Sequence, residues 1–256
     1  MRILAVAQNT FREAVRDKVL YVLLFFAAAA ILGSRALGWI SIGQNIKIVK
    51  DISLAATSLF GVLIAIFVGT SLVYKEIDKR TIYTIICRPM RRYEFVLGNT
   101  LGLAWLLAIV TCAMTVVASA YTIFLGGSID PTFFMAVLLI YWELLLVTAF
   151  AVLMSSLTSP ILGALIVFSM YIVGHATTIL VDLPKHFEVG KLRILRPLME
   201  LSYYVIPNLS NFNIRGEAAN EVPVSISYVG WALLYGSVYT AVLLVLASLA
   251  FEDKDV

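Results

Sequence analysis

Six long apolar runs are the feature that most constrains what this chain can fold into. They lie at about residues 19–34, 52–74, 98–125, 132–154, 160–181 and 227–251. A helix rises about 1.5 Å per residue and the hydrocarbon core of a bilayer is about 30 Å thick, so roughly 20 residues cross it. Hydrophobic residues make up 61% of the sequence and charged residues 14%, whereas soluble domains are roughly half apolar and a quarter charged. We therefore predict an all-α, polytopic membrane protein, with six transmembrane helices in a single transmembrane domain over residues 1–256.

Two prolines mark helix starts within this pattern. Pro131 follows Asp130 and Pro160 follows Ser159, and a capping side chain before a proline at the first helical position is a typical start signal. The sequence SSLTS between the fourth and fifth runs therefore predicts a tight turn.

The basic residues predict the orientation, because Lys and Arg concentrate in cytoplasmic loops. If the amino terminus is cytoplasmic, eleven of the nineteen basic residues fall on that side, six of them in residues 75–97. We therefore expect both termini in the cytoplasm. The net charge of +3 is too small to indicate a nucleic-acid partner.

Residues 1–18 predict an amphipathic helix at the membrane interface. Ile3, Ala7, Phe11 and Ala14 fall near one face, and the arginines lie largely elsewhere. Such a helix rests on the bilayer surface with its basic face towards lipid headgroups.

Nine charged residues lie within residues 73–99, between the second and third runs. This charged loop, residues 75–97, is too short to bury a core of its own. Its isoleucines, such as Ile82 and Ile85, form a short apolar helical face, and Pro89 ends that helix. One interpretation is a basic loop that only fixes topology. The other is a short helix presented to a soluble protein, which the mixed acidic and basic residues favour.

The loop also carries a resemblance. The sequences EIDKRTI (76–82), RP (88–89), RRYE (91–94) and LG (97–98) resemble the loop after the second span of type-2 ABC exporter permeases. The similarity continues in FREAVRDK (11–18), SSLTSP (155–160), YIVGH (171–175) and IPNLSNF (206–212). It is nearest to the branch for multicopper-enzyme maturation, which includes the nitrous-oxide-reductase maturation permease. Asn99 departs from the family, where lysine is common, and we expect this to affect one contact at the loop end.

The resemblance implies a non-catalytic permease subunit in the cytoplasmic (inner) membrane of a prokaryote. It implies a permease homodimer with two copies of a separate ABC ATPase, and a cytoplasmic coupling helix at about residues 78–88. The residues expected to contact the ATPase are Glu76, Asp78, Lys79, Arg80, Thr81, Ile82, Ile85, Arg88, Pro89, Arg91 and Arg92. The chain has no GxxxxGK[ST] phosphate loop, so ATP and Mg are expected in the partner and no cofactor in this chain.

Glu143 lies near the middle of the fourth run. An ionised acid there is costly, so it should face protein, be paired or be protonated. Its role is either helix–helix hydrogen bonding or a step in a substrate or proton path. No basic residue falls at matching depth in the predicted spans, so the sequence names no ion-pair partner for it.

Small residues repeat every four positions in two runs. They are Gly61, Ala65 and Gly69 in the second run, and Gly98 and Gly102 at the third. Such spacing lets helices approach closely, either within one protomer or at a dimer interface.

The histidines, His175 and His186, and the cysteines, Cys87 and Cys112, form no recognisable cluster. HxxxH, CxxC and Met-rich motifs are absent, so the sequence predicts no metal site and no disulfide framework.

The segment at residues 182–226 is expected outside the membrane, with a short helix at residues 197–205 that begins at a proline. It could gate an exit, bind an extracytoplasmic partner protein or pack as a lid. The alternative to an ATP-driven permease is an ATPase-independent carrier or channel that uses Glu143. Carriers usually show several polar groups near the midplane, which weighs against it. The cargo is not encoded in any motif.

Overall fold

The computed structural model describes residues 2–38, 44–78, 92–186 and 206–252. The helices within these ranges are α1 (Arg2–Val15), α2 (Lys18–Gly38), α3 (Asn45–Asp78), α4 (Arg92–Phe124), α5 (Pro131–Leu157), α6 (Pro160–His186), α7 (Arg215–Ala219) and α8 (Ile226–Glu252), with a 3-10 turn at Leu209–Phe212. Throughout the described part of the chain the regular structure is helical, with no strand.

Six of these helices are long and apolar enough to cross a bilayer, so the prediction of an all-α polytopic membrane protein is confirmed. The helices run beyond the apolar segments from which they were predicted. Helix α3 begins at Asn45 rather than at residue 52 and continues to Asp78. Hydropathy detects only the part of a helix that matches lipid, so it does not register polar turns at the ends.

Helix α5 lies at the centre of the bundle. It packs against α3, α4, α6 and α8, and Leu144, Leu146 and Val147 on it are fully buried. Helices α2, α6 and α8 lie at the periphery. Their large apolar side chains, such as Phe25, Ile161 and Trp231, are exposed on the outside of the bundle, as expected of surfaces that face lipid.

The two ends of the bundle differ. Phe251, near the end of α8, packs against Phe95, near the start of α4, with ring centroids 5.6 Å apart. Helix α1, the start of α4, the α5–α6 turn and the end of α8 therefore share one end, which we call the terminal side. The loop between α4 and α5 and the residues from 206 to the start of α8 lie at the opposite end, which we call the distal side.

Glycines bring α3 close to α5. A Cβ atom on Gly61 would lie 2.7 Å from the side chain of Leu144, and one on Gly69 would lie 3.3 Å from Ala151. Ala65, between them, is buried. The small residues of the second run therefore face another helix of the same chain.

Helix α1 packs against α4. A Cβ atom on Gly98 would lie 2.6 Å from Val6, and one on Gly102 would lie 2.6 Å from the carbonyl oxygen of Ala7. The Thr10 hydroxyl lies 2.6 Å from the side-chain oxygen of Asn99. Asn99 is therefore a buried contact between two helices, and the expectation that it affects only a loop end is wrong.

Candidate functional site

A carboxylate and an imidazole meet inside the membrane-spanning bundle. Oε1 of Glu143, on α5, lies 2.7 Å from Nε2 of His175, on α6. Glu143 is buried to about 1% exposure, and His175 keeps part of its ring exposed. The short distance is typical of a hydrogen bond in which one partner carries charge. The statement from the sequence that no basic residue lies at the depth of Glu143 is therefore wrong.

The two residues meet because α5 and α6 form an antiparallel hairpin. Glu143 lies about 21 Å along α5 from its end at Leu157, and His175 lies about 22 Å along α6 from its start at Pro160. Residues equally far from a tight helical turn lie at the same depth. The pair is thus well inside the span, where water cannot compensate for an unpaired charge.

A tyrosine connects the pair to a third helix. The ring of Tyr171, one turn before His175 on α6, packs edge-on against the imidazole with centroids 4.7 Å apart. Its hydroxyl lies 3.4 Å from the hydroxyl of Ser58 on α3. Helices α3, α5 and α6 therefore meet at one small polar group.

Residues 206–212, which we call the docked segment, pack onto the same part of α6. The Ser210 hydroxyl donates to the carbonyl oxygen of His175 over 2.9 Å. The Thr177 hydroxyl lies 3.0 Å from the side-chain oxygen of Asn208. The main-chain N–H of Asn208 donates to the Tyr235 hydroxyl over 2.9 Å. The docked segment is thereby joined to both α6 and α8.

Leu209 and Phe212 of the docked segment are fully buried. Leu209 packs over Gly174, where an added Cβ would lie 2.8 Å away, and Phe212 packs over Gly236, where it would lie 2.9 Å away. The two glycines therefore make room for a segment that sequence analysis placed outside the membrane without describing its packing.

A second charged group lies on the distal side. Lys50, near the start of α3, is about 1% exposed. Its Nζ lies 2.7 Å from a carboxylate oxygen of Glu221 and 3.8 Å from one of Asp130. The Ser128 hydroxyl donates to the same Glu221 oxygen over 2.9 Å. This distal cluster joins α3 to the loop before α5 and to the loop before α8.

The hydrogen bond from Lys50 is the largest reason why the pKa of Glu221 lies below its ordinary value of 4.5, and the bond from Ser128 adds to it. Glu221 also has a φ of 60°, in the left-handed region that non-glycine residues seldom adopt. Asp130 precedes Pro131 as predicted, but its side chain makes no helix-capping bond and faces Lys50.

The sequence matches the sequence model of the family described as ABC-2 family transporter protein over residues 4–256. The chain belongs to this family. No curated protein sequence matches it. The resemblance to type-2 ABC permeases is therefore confirmed, and the protein is a multi-pass permease subunit of an ABC transporter.

The permease residues predicted to contact an ATPase fall mostly outside the described part of the structure. Residues 79–91 lie outside the described residues. Glu76 and Asp78 belong to the last turns of α3, and Arg92 begins α4. The short helix predicted at residues 197–205 also lies outside the described residues.

Within the ranges that the structure describes, the permease brings together no group of three or more His, Cys, Asp or Glu side chains that could hold a metal ion. Cys112 is a free, exposed thiol. The functional candidates that sequence analysis did not identify are His175 as the partner of Glu143, and Lys50 as a buried cation. The tight SSLTS turn was the signal for the Glu143–His175 pair, because the two residues lie at nearly equal distances from it along the chain.

Proposed function

We propose that this permease is the membrane subunit of an ATP-driven exporter or mechanotransmitter, powered by a separate ATPase subunit. The observation that carries the proposal is the family match over residues 4–256, because ABC-2 permeases typically work with an ATPase partner. The six membrane-spanning helices are consistent with it.

The geometry of α3 supports force transmission from the charged loop. The apolar part of α3 ends at Ser71, but the helix continues to Asp78, about 10 Å further. The same helix contacts α5 at Gly69 and Gly61 and reaches Tyr171 through Ser58. A displacement of the loop would therefore be passed along one continuous helix to the centre of the bundle.

In this proposal the coupling helix at about residues 78–88 docks on the ATPase, and the terminal side faces the cytoplasm. Two permease chains and two ATPase chains form the assembly, with ATP and Mg bound by the ATPase. The membrane is the cytoplasmic membrane of a prokaryote. The resemblance of the loop and of residues 206–212 to the multicopper-enzyme maturation branch supports an extracytoplasmic partner protein that responds to the movement.

Charge reversal in the loop tests the proposal. Arg80, Arg91 and Arg92 are changed together to glutamate, and binding of the ATPase to the purified permease is measured along with permease-stimulated ATP hydrolysis. We expect the affinity to fall by about tenfold or more, which corresponds to about 1.4 kcal/mol, because the proposal assigns these three charges to the interface with the ATPase.

The matched control reverses Arg12, Arg16 and Lys18, three exposed basic residues that also lie on the terminal side. It changes the same number of charges on the same side of the bundle. The proposal requires the control to keep its ATPase. Full binding and stimulation by the loop variant would contradict it.

The Glu143–His175 pair favours one alternative, an ATPase-independent carrier or channel that uses Glu143, since ionisable groups inside a span commonly mark ion paths. Vesicles that contain the permease alone, without an ATPase, distinguish the two functions. Substrate or proton flux through them, lost in Glu143→Gln, would favour the alternative.

A further inference from the structure

Glu143 and His175 cannot contact an ATPase bound at the terminal side, because they lie about 20 Å from it. An ionised acid at the centre of a span costs at least about 2.5–3.5 kcal/mol unless it is compensated. The protein nevertheless buries Glu143 almost completely, at 2.7 Å from a histidine. Histidine is the side chain that ordinarily changes charge between about pH 5 and about pH 8.

The charge of the pair depends on how many protons it holds. With one exchangeable proton between them, Glu143 and His175 are either carboxylate and imidazolium or carboxylic acid and imidazole, and both forms are neutral overall. Adding a second proton gives the pair a charge of +1, and removing the first gives −1. Burial opposes both charged forms, so the singly protonated pair is the resting state.

Few other groups can compensate these charges. Where side chains are described, the titratable and charged residues on the elements packed around the pair are Lys47, Lys50 and Asp51 on α3, Tyr93, Glu94, Cys112 and Tyr121 on α4, Tyr141 on α5, Tyr171 on α6, Arg215 and Glu217 on α7, and Tyr228, Tyr235 and Tyr239 on α8. Lys50 is paired with the carboxylate of Glu221, whereas Arg215 donates to the neutral side chain of Asn213 and keeps its positive charge. Among the described residues, no further acid or base lies within ion-pair distance of Glu143 or His175.

The main chain around His175 also holds the docked segment. The carbonyl oxygen of His175 accepts the Ser210 hydroxyl, Gly174 lies under Leu209, and Thr177 contacts Asn208. A displacement of His175 along or around α6 therefore disturbs three contacts of the docked segment at once.

We propose that Glu143 and His175 form an intramembrane proton-binding site, and that uptake of a second proton releases the docked segment from α6. The incoming proton bonds to the Glu143 carboxylate, which becomes a neutral acid, while His175 stays an imidazolium. The imidazolium loses its counter-charge and shifts away from Glu143, towards the side on which its ring is exposed. That movement displaces residues 174–177 and opens the distal side of the bundle.

The test measures the distance between the docked segment and a fixed helix as the pH changes. Spin labels are attached to Asn213→Cys, an exposed position next to the segment, and Gly33→Cys, where no neighbouring atom lies within 4 Å of the added carbon. Cys87 and Cys112 are replaced by serine. The purified permease is placed in lipid nanodiscs without an ATPase, so the outcome is independent of the proposed function.

We expect the distance distribution to shift to longer values as the pH is lowered, and the shift to be lost in Glu143→Gln and in His175→Gln. Either variant alone suffices if the other does not fold. Infrared difference spectra over the same pH range should show a protonated carboxyl band that is missing in Glu143→Gln.

Two control variants separate the pair from surface carboxylates. Glu217→Gln removes an exposed acid of α7, and Glu221→Gln removes the acid of the distal cluster, whose pKa is already below its ordinary value. Both should keep the shift at the same pH. A distance that does not change with pH in the wild type, a shift that persists in a folded Glu143→Gln protein, or loss of the shift in either control would overturn the proposal.

Discussion

At the residue scale, the Glu143–His175 pair and the distal cluster differ in how far the sequence indicates them. Glu143 and His175 were both recognisable as unusual, and their equal distance from the SSLTS turn contained the information that they meet. The sequence contains no such signal for Lys50. Its partner Glu221 lies 171 positions away in the chain, and only the folded positions of two loops bring the charges together.

The distal cluster makes the stability of the permease depend on pH. The pKa of Glu221 is lowered in the folded state, chiefly by its bond from Lys50. The stabilisation is therefore present above the ordinary value of about 4.5 and is lost as the pH falls through the lower, folded value.

We expect Glu221→Gln to lower the melting temperature near neutral pH and to flatten its decrease at acidic pH. Thermal unfolding in detergent over a pH series measures this, with Glu217→Gln as the exposed control. A variant that melts like the wild type at every pH would refute the role of the cluster.

At the scale of elements, the helices were predictable and their contacts were only partly so. Apolar runs of membrane-spanning length are a local property, and the six spans follow from it. The small residues Gly61, Gly69, Gly98 and Gly102 indicated close approach, but spacing alone does not name the partner helix. The docked segment was missed because its burial depends on Gly174 and Gly236, which lie in helices on either side of it in sequence.

The docked segment gives a matched pair of glycine substitutions. At Gly174 an added methyl group would lie 2.8 Å from Leu209 and 2.9 Å from the carbonyl oxygen of Pro207, so the segment must move away. We expect Gly174→Ala to destabilise the protein by about 1–3 kcal/mol. Gly230→Ala, on α8, meets no atom within 4 Å and should be neutral or stabilising by up to about 1 kcal/mol. Thermal unfolding compares them, and hydrogen exchange of residues 206–212 localises the effect. Equal stability of the two variants would show that the segment does not pack on α6.

At the scale of the whole molecule, α3 runs from the charged loop past α5 to Lys50 in the distal cluster. If it transmits movement as a rigid rod, breaking it between the loop and the bundle should separate ATP hydrolysis from events on the distal side. Val73 lies in α3 just beyond the apolar part, which ends at Ser71. Proline there removes a backbone hydrogen bond and breaks or kinks the helix, at a cost of about 3 kcal/mol or more, whereas alanine preserves the helix.

We therefore expect Val73→Pro to bind the ATPase but to lose the ATP-dependent distance change between labels at positions 33 and 213. Val73→Ala should keep both the binding and the distance change. An unchanged response in Val73→Pro would mean that the movement reaches the distal side through α4 or through α1 packed against it.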